Sequence, residues 1–411
     1  MYKSIVLYPD TFLWFTETLG VFYNCENTSF VQFEITPLLL KYCFRINDFN
    51  NMYTIAIDPE DENDTVFCKW LNRIVNNHIG KIVSLAFIDK KPFSLPPILN
   101  LRHELEERRM DDFYYRPINI ANNFHEVTFL LGGERMSEEE TGYYKQTHYP
   151  ISSEFRLEVS NICSFLDNNN IRYLQQINIV SGELSAYPDL EFLLEKLFQY
   201  DIPLTYFFRG NDVEGVSKVL KYTSSGKISL GLYFADVKSF QETESLLKDG
   251  GIDYRWIFLL REENEWEQAQ RIVETYDIEY YNLVPVVTSN VSNLDFFSEN
   301  VFTSYNELSH MSLTKQNIFC NQTINSNCWG QLFITPDKKV YANLNGNSLG
   351  TIGEDVLCLI RKEMTGGESY WKYTRDKVIP CKACIYRYLC PPPSNYEFYL
   401  KRFDLCTVNN L

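Results

Sequence analysis

The spacing of apolar and polar positions changes character twice along the chain. Over roughly the first 90 residues, short aromatic and β-branched runs alternate with turn residues. Phe12–Phe15, Gly20–Asn24 and Phe30–Phe33 predict a three-stranded meander. Pro37 opens a helix read to about Phe44, and Met52–Ile57 alternates as a further strand. Beyond Asp64 and Thr65, the apolar positions Val66, Phe67, Trp70, Leu71, Ile74 and Val75 recur at helical spacing. Residues 91–117 hold Pro92, Pro96, Pro97 and Pro117 around a charged patch, which predicts a linker with a short helix over Leu99–Met110.

From about residue 118 to 315, strand-like and helix-like runs alternate. Strands are expected at Glu126–Leu131, Gln176–Val180, Leu204–Phe208, Ile228–Phe234, Arg255–Leu260 and Tyr281–Val287, with helices between them, as at Asp189–Gln199 and Glu263–Tyr276. That rhythm predicts an α/β fold with a parallel sheet, as a partial (β/α) barrel or an open sheet. From about 316 the chain becomes cysteine-rich. Gln331–Ala342 reads as a hairpin turning at Pro336-Asp337-Lys338, and Pro391-Pro392-Pro393 ends the helical pattern beyond it.

Composition narrows the functional classes. A net charge of −16 excludes the basic surface that nucleic acid or an anionic membrane requires. No apolar run approaches the roughly 20 residues of a membrane helix, and the opening Met1–Asp10 turns polar too soon for a signal peptide. Eleven scattered cysteines, an odd number, suit a cytoplasmic protein with thiols and a metal site better than a disulfide framework. Phosphate-loop, His-Glu-x-x-His and Gly-x-Ser-x-Gly motifs are missing. His78, His103, His125, His148 and His310 show no ligand spacing, and His103-Glu104 and His125-Glu126 read as surface pairs.

The chemistry concentrates in Cys381-x2-Cys384-x5-Cys390, followed by Cys406. Three thiolates on a tight segment and a fourth after a loop can close a tetrahedral sulfur site. From spacing alone, zinc and an iron–sulfur cluster are both open. Cys320 and Cys328 lie upstream.

This segment resembles the SPASM domain of radical SAM/SPASM peptide-modifying enzymes, over about residues 316–411. The resemblance implies that Cys381, Cys384, Cys390 and Cys406 hold one auxiliary 4Fe–4S cluster. It also implies that a second cluster is lost, because two of its ligand places fall on Asn343 and Ser394. The family further implies a radical SAM partial barrel at 118–315. The loop after its first strand would then carry Cys-x3-Cys-x2-Cys. Here that loop reads Gly132-Gly-Glu-Arg-Met-Ser-Glu-Glu-Glu-Thr-Gly142, and no cysteine lies between Cys68 and Cys163. Without those thiolates no iron is left open to chelate SAM. The Glu138–Glu140 run reads as a solvated acidic loop.

Ser181-Gly182-Glu183, followed by Tyr187-Pro188-Asp189, resembles the family's SAM-amine motif, and reads as a vestige at which SAM is not expected to bind. Residues 1–90 are similar to winged-helix peptide-recognition units, which bind a leader peptide as a strand beside the third meander strand; a plain packing domain is the alternative. Cys384–Glu397 is similar to pseudo-radical-SAM proteins of the Bacteroidales peptide-maturation (GG-type) systems. The resemblance implies a non-catalytic partner that binds a precursor peptide or a companion radical SAM/SPASM maturase. An iron–sulfur electron carrier and an atypical SAM-using enzyme are the other readings. The expected domains are 1–90, the linker 91–117, a barrel at 118–315 and a SPASM-like domain at 316–411.

Overall fold

The computed structural model describes residues 2–85, 92–99, 101, 120–169, 171–222 and 227–408. The linker helix read at Leu99–Met110, and His103 with it, fall almost wholly outside these residues.

Strand β1 (Tyr2–Leu7) is followed by the meander β2 (Thr11–Phe15), β3 (Leu19–Asn24) and β4 (Ser29–Glu34). The meander pairs in the order β2-β3-β4, which leaves β4 at its edge. Helix Pro37–Asn47 starts where Thr36 accepts a hydrogen bond from the Leu39 amide and Pro37 occupies the first turn, where its missing N–H costs nothing. Helix Thr65–Asn76 is capped by Asp64, whose carboxylate accepts from the Phe67 amide. Strands β5 (Thr54–Ala56) and β6 (Gly80–Leu85) flank β1 antiparallel in a second small sheet.

Period-two alternation gives the meander two apolar faces. Leu13, Phe22, Val31 and Phe33 pack with Tyr42, Phe67 and Trp70 of the two helices. Phe12, Val21 and Tyr23 pack instead with Leu308, Ile318, Tyr386, Leu389 and Val408 from the far end of the chain. The amino-terminal unit and the cysteine-rich segment therefore share a core.

The largest sheet among the described residues has nine strands, ordered β12-β11-β10-β9-β8-β7-β13-β14-β15. Strands β7 (Glu126–Leu130), β8 (Gln176–Val180), β9 (Leu204–Arg209), β10 (Ile228–Tyr233), β11 (Asp253–Leu260) and β12 (Tyr281–Pro285) run parallel, each beside its predecessor. Helices Val159–Asn168, Leu190–Phe198, Val213–Leu220, Val237–Gly250 and Glu263–Tyr276 form the connections. The helix-facing side is apolar, with Phe129, Ile177, Ile179, Tyr206 and Trp256 buried.

The predicted hairpin forms as β13 (Gln331–Ile334) and β14 (Lys339–Tyr341), with β15 (Gly350–Thr351) beyond it. Strand β13 pairs parallel with β7, Gln331 opposite Glu126. The cysteine-rich region thus extends the sheet from its first strand. No helix among the described residues is long and apolar enough to cross a membrane.

Candidate functional site

The four predicted cysteines come together. Cys381 opens a short 3-10 turn, Cys381–Ala383, and Cys384 follows it. The chain reverses so that the Cys390 amide donates to the Tyr386 carbonyl, 3.0 Å. Cys381, Cys384, Cys390 and Cys406 all line one cavity of about 220 Å³. Among the described residues no disulfide forms, and no three His, Cys, Asp or Glu side chains group tightly enough to hold a single metal ion. Burial raises the Cys381, Cys384 and Cys390 thiols above their ordinary value. Each is raised further by the charges of its sulfur neighbours, while Arg375 pulls Cys381 and Cys390 back down.

Arg375 and Glu397 are the residues that spacing did not reveal. The guanidinium forms a forked pair with the Glu397 carboxylate, its Nη2 3.1 Å from Oε2. Its Nε donates to the Pro391 carbonyl at 2.9 Å, and its Nη1 approaches the Cys381 sulfur at 3.6 Å. Both side chains are buried in the wall of the thiol cavity. Glu397 also completes a capping box with Ser394 at the start of helix Asn395–Leu400. A cation held this close favours thiolate over thiol.

Of the two positions read as lost ligand places, one holds an amide and the other a hydroxyl. Asn343 donates to the Cys328 sulfur at 3.3 Å and to Asn395 Oδ1 at 2.7 Å. Cys328 is buried and its thiol is pushed up to about 12 by desolvation. Ser394 spends its hydroxyl on the helix cap.

At the carboxyl end of β8, the Ser181-Gly182-Glu183 turn is occupied by the protein itself. Glu134 Oε1 accepts from the Gly182 amide (2.9 Å), the Glu183 amide (2.8 Å) and the Ser181 hydroxyl (3.2 Å). Gly132 and Gly133, at φ +70° and +84°, let the loop after β7 fold back far enough to deliver this carboxylate. A Cβ on Gly182 would collide with Glu134 Oε2. The turn's two amides and its hydroxyl are therefore already used by Glu134.

Glu139 and Glu140 are also committed. Glu139 pairs with Arg261, and Glu140 accepts from Ser137 and Tyr149. Glu126, expected at the surface, turns inward instead. It accepts from Asn178 at 2.6 Å, and His148 Nε2 lies 3.5 Å away. It does so because alternation puts Glu126, Thr128, Gln176, Asn178 and Thr205 on the sheet face away from the helices, where His148 stacks on Phe207.

The third feature is the edge of the meander. Arg73, from helix Thr65–Asn76, donates to the Gln32 carbonyl at 2.6 Å, whereas the Ile35 amide pairs inward with Thr18. Backbone groups alternate sides in an antiparallel strand, so Phe30, Gln32 and Glu34 direct theirs outward. They border a groove of about 560 Å³ floored by Phe33, Val66 and Trp70 and flanked by Lys69 and Arg73.

No protein-family model and no curated protein matches the chain. Among solved structures it is similar to Streptococcus suis SuiB bound to precursor peptide SuiA, with 11% identity, 98% of this chain and 100% of that one covered, and a TM-score of 0.49. Streptococcus suis SuiB bound to S-adenosylmethionine gives 11%, 98%, 99% and 0.47. Native anSMEcpe with bound AdoMet gives 14% identity over 64% of this chain and 88% of that one, with a TM-score of 0.40.

Proposed function

We propose that this protein is a non-catalytic relative of radical SAM peptide maturases, which binds a precursor peptide or its active maturase and carries one auxiliary iron–sulfur cluster. The observation that carries the reading is the contrast between the two ends of the molecule. All four cysteines of the auxiliary site share one cavity. The strand-end turn of the SAM motif, in contrast, is filled by Glu134, on a loop without a single cysteine.

Cys381, Cys384, Cys390 and Cys406 would hold the cluster, with Arg375 offsetting part of its negative charge. Four thiols lining one cavity suit a cluster, in which each thiolate takes its own iron, and a single zinc is the alternative occupant. Zinc requires four sulfurs at about 2.3 Å from one ion. Bound there, a cluster supplies folding energy and a one-electron redox centre. The groove beside β4 supports the peptide-binding half of the proposal. It offers outward backbone groups for strand addition, with Arg73 holding the Gln32 carbonyl until a peptide displaces it, and an apolar floor for alternate side chains.

Metal and sulfide analysis of protein purified without oxygen tests the first half. About four iron and four sulfide per chain are expected, lost in Cys390→Ala. One zinc and no sulfide would leave a structural knuckle. For the second half, a displayed library of extended peptides is selected on the full chain and counter-selected on Glu34→Pro. This change removes an outward amide without breaking a ladder bond. Binders indifferent to Glu34→Pro would sink the strand-addition reading. An anaerobic assay yielding 5′-deoxyadenosine from SAM would overturn the non-catalytic reading.

A further inference from the structure

The two proposed sites touch through one residue. Tyr386 lies between Cys384 and Cys390. Its amide donates to the Cys384 sulfur at 3.4 Å, and its carbonyl accepts from the Cys390 amide at 3.0 Å. Its hydroxyl leaves this loop and donates to Gln32 Oε1 at 2.6 Å. Gln32 stands in the outermost strand of the meander, and its own carbonyl is the group that Arg73 covers. The rings repeat the connection. Phe30 stacks on Tyr386, centroids 6.3 Å apart and planes 27° from parallel, and Tyr305 packs against both at 6.0 and 6.3 Å. Phe30, Gln32, Arg73 and Tyr305 all line the β4 groove. A single buried tyrosine therefore has its backbone in the thiol loop and its side chain on the peptide edge.

We propose that Tyr386 couples the cysteine site to the β4 edge, so that metal loading holds β4 in its ladder and presents the groove. The inference rests on the metal-site reading above and goes beyond it by linking two sites not previously connected. A metal fixes the Cys384 and Cys390 sulfurs, and with them the two backbone bonds that place Tyr386. The hydroxyl then holds Gln32, and through Gln32 the middle of β4. In the metal-free chain the loop keeps its other hydrogen bonds, such as those from the Leu389 amide to Tyr386 and from Asn321 to Tyr388, but the two sulfurs are no longer pinned and the anchor on β4 loosens. Linkage makes the effect reciprocal, so a strand added at β4 raises metal affinity by the same factor by which metal raises the strand's.

Amide hydrogen exchange on the full chain tests this without knowledge of the peptide. The inward amides of Val31, Phe33 and Ile35 report opening of β4. Exchange is measured metal-free, with zinc alone, and with iron and sulfide supplied without oxygen, and bound metal is counted in each sample. Loading is expected to slow these amides about tenfold. Tyr386→Phe is expected to bind metal and lose the slowing. Tyr388→Phe, whose hydroxyl reaches Asp376 rather than β4, is expected to keep it. Gln32→Leu, which deletes the acceptor, should behave as Tyr386→Phe does. Metal bound with unchanged exchange would overturn the coupling and leave the metal site standing. Slowing that survives in Tyr386→Phe would overturn the role of its hydroxyl. Failure to bind either zinc or iron and sulfide would overturn site and coupling together.

Discussion

Arg375 and Glu397 are 22 residues apart in sequence, and each reads there as an ordinary surface charge. Folding buries them as a forked pair beside the thiols. Removing one partner of a buried pair leaves the other charge uncompensated, at a cost of about 3–5 kcal/mol. Arg375→Ala is therefore expected to lower the unfolding free energy from urea titration by that margin, and Arg375→Met with Glu397→Leu to recover most of it. An equal loss in single and double variants would mean that packing, not charge, dominates. The thiols carry a second expectation at this scale. Burial raises the Cys381, Cys384 and Cys390 thiols, so these three carry their protons at neutral pH. Metal must displace those protons, so apparent affinity rises with pH through the neutral range and uptake acidifies a weakly buffered solution. Titration at two pH values measures both effects. The four cysteines were legible because ligand spacing survives in a linear chain. Arg375, Glu397 and Glu134 were not, because nothing local marks a charge that folding will bury.

Strands and turns show the same division between local and distant information. All six strands β7 to β12 start and end within two residues of where apolar runs predict them, since a strand buried on one face writes its own pattern. Strands β1 and β6 were missed. Lys3-Ser4-Ile5-Val6-Leu7 does not alternate cleanly, because Ser4 is buried with the apolar residues around it, and the partner that explains it lies more than 70 residues away. The turn after β8, which resembles a ligand-binding motif, serves in the structure as a clamp between two strand ends. Glu134→Ala and Gly182→Ala each break that clamp, by deleting the carboxylate or by displacing it. Each is expected to cost about 1–3 kcal/mol, the value of hydrogen bonds to a charged acceptor. The double variant should cost little more than either single one. Additive losses in thermal melts would show that the two residues act separately.

For the molecule as a whole, the shared aromatic core decides what unfolds with what. Tyr23 reaches out of the meander to accept from the Leu313 amide at 2.7 Å and to donate to the Met311 carbonyl at 3.0 Å. Phe12 meets Phe319, and Trp14 meets Tyr388. Tyr23→Phe strands one buried donor and one acceptor, so about 1–3 kcal/mol is at stake. Because the core is common, near-ultraviolet circular dichroism and proteolysis of the cysteine-rich region should report the same lowered transition. Two separated transitions would show that the units fold independently.

The pairing of β7 with β13 has a consequence during synthesis. Glu126 emerges from the ribosome long before its partner Gln331, and at about 5–20 residues per second the wait is roughly 10–40 s. Once β8 has emerged beside it, the first parallel strand keeps one bare edge of unpaired N–H and C=O groups, a template for another chain, until β13 arrives. A chain stalled before β13 would keep that edge open, and the hairpin is what closes it.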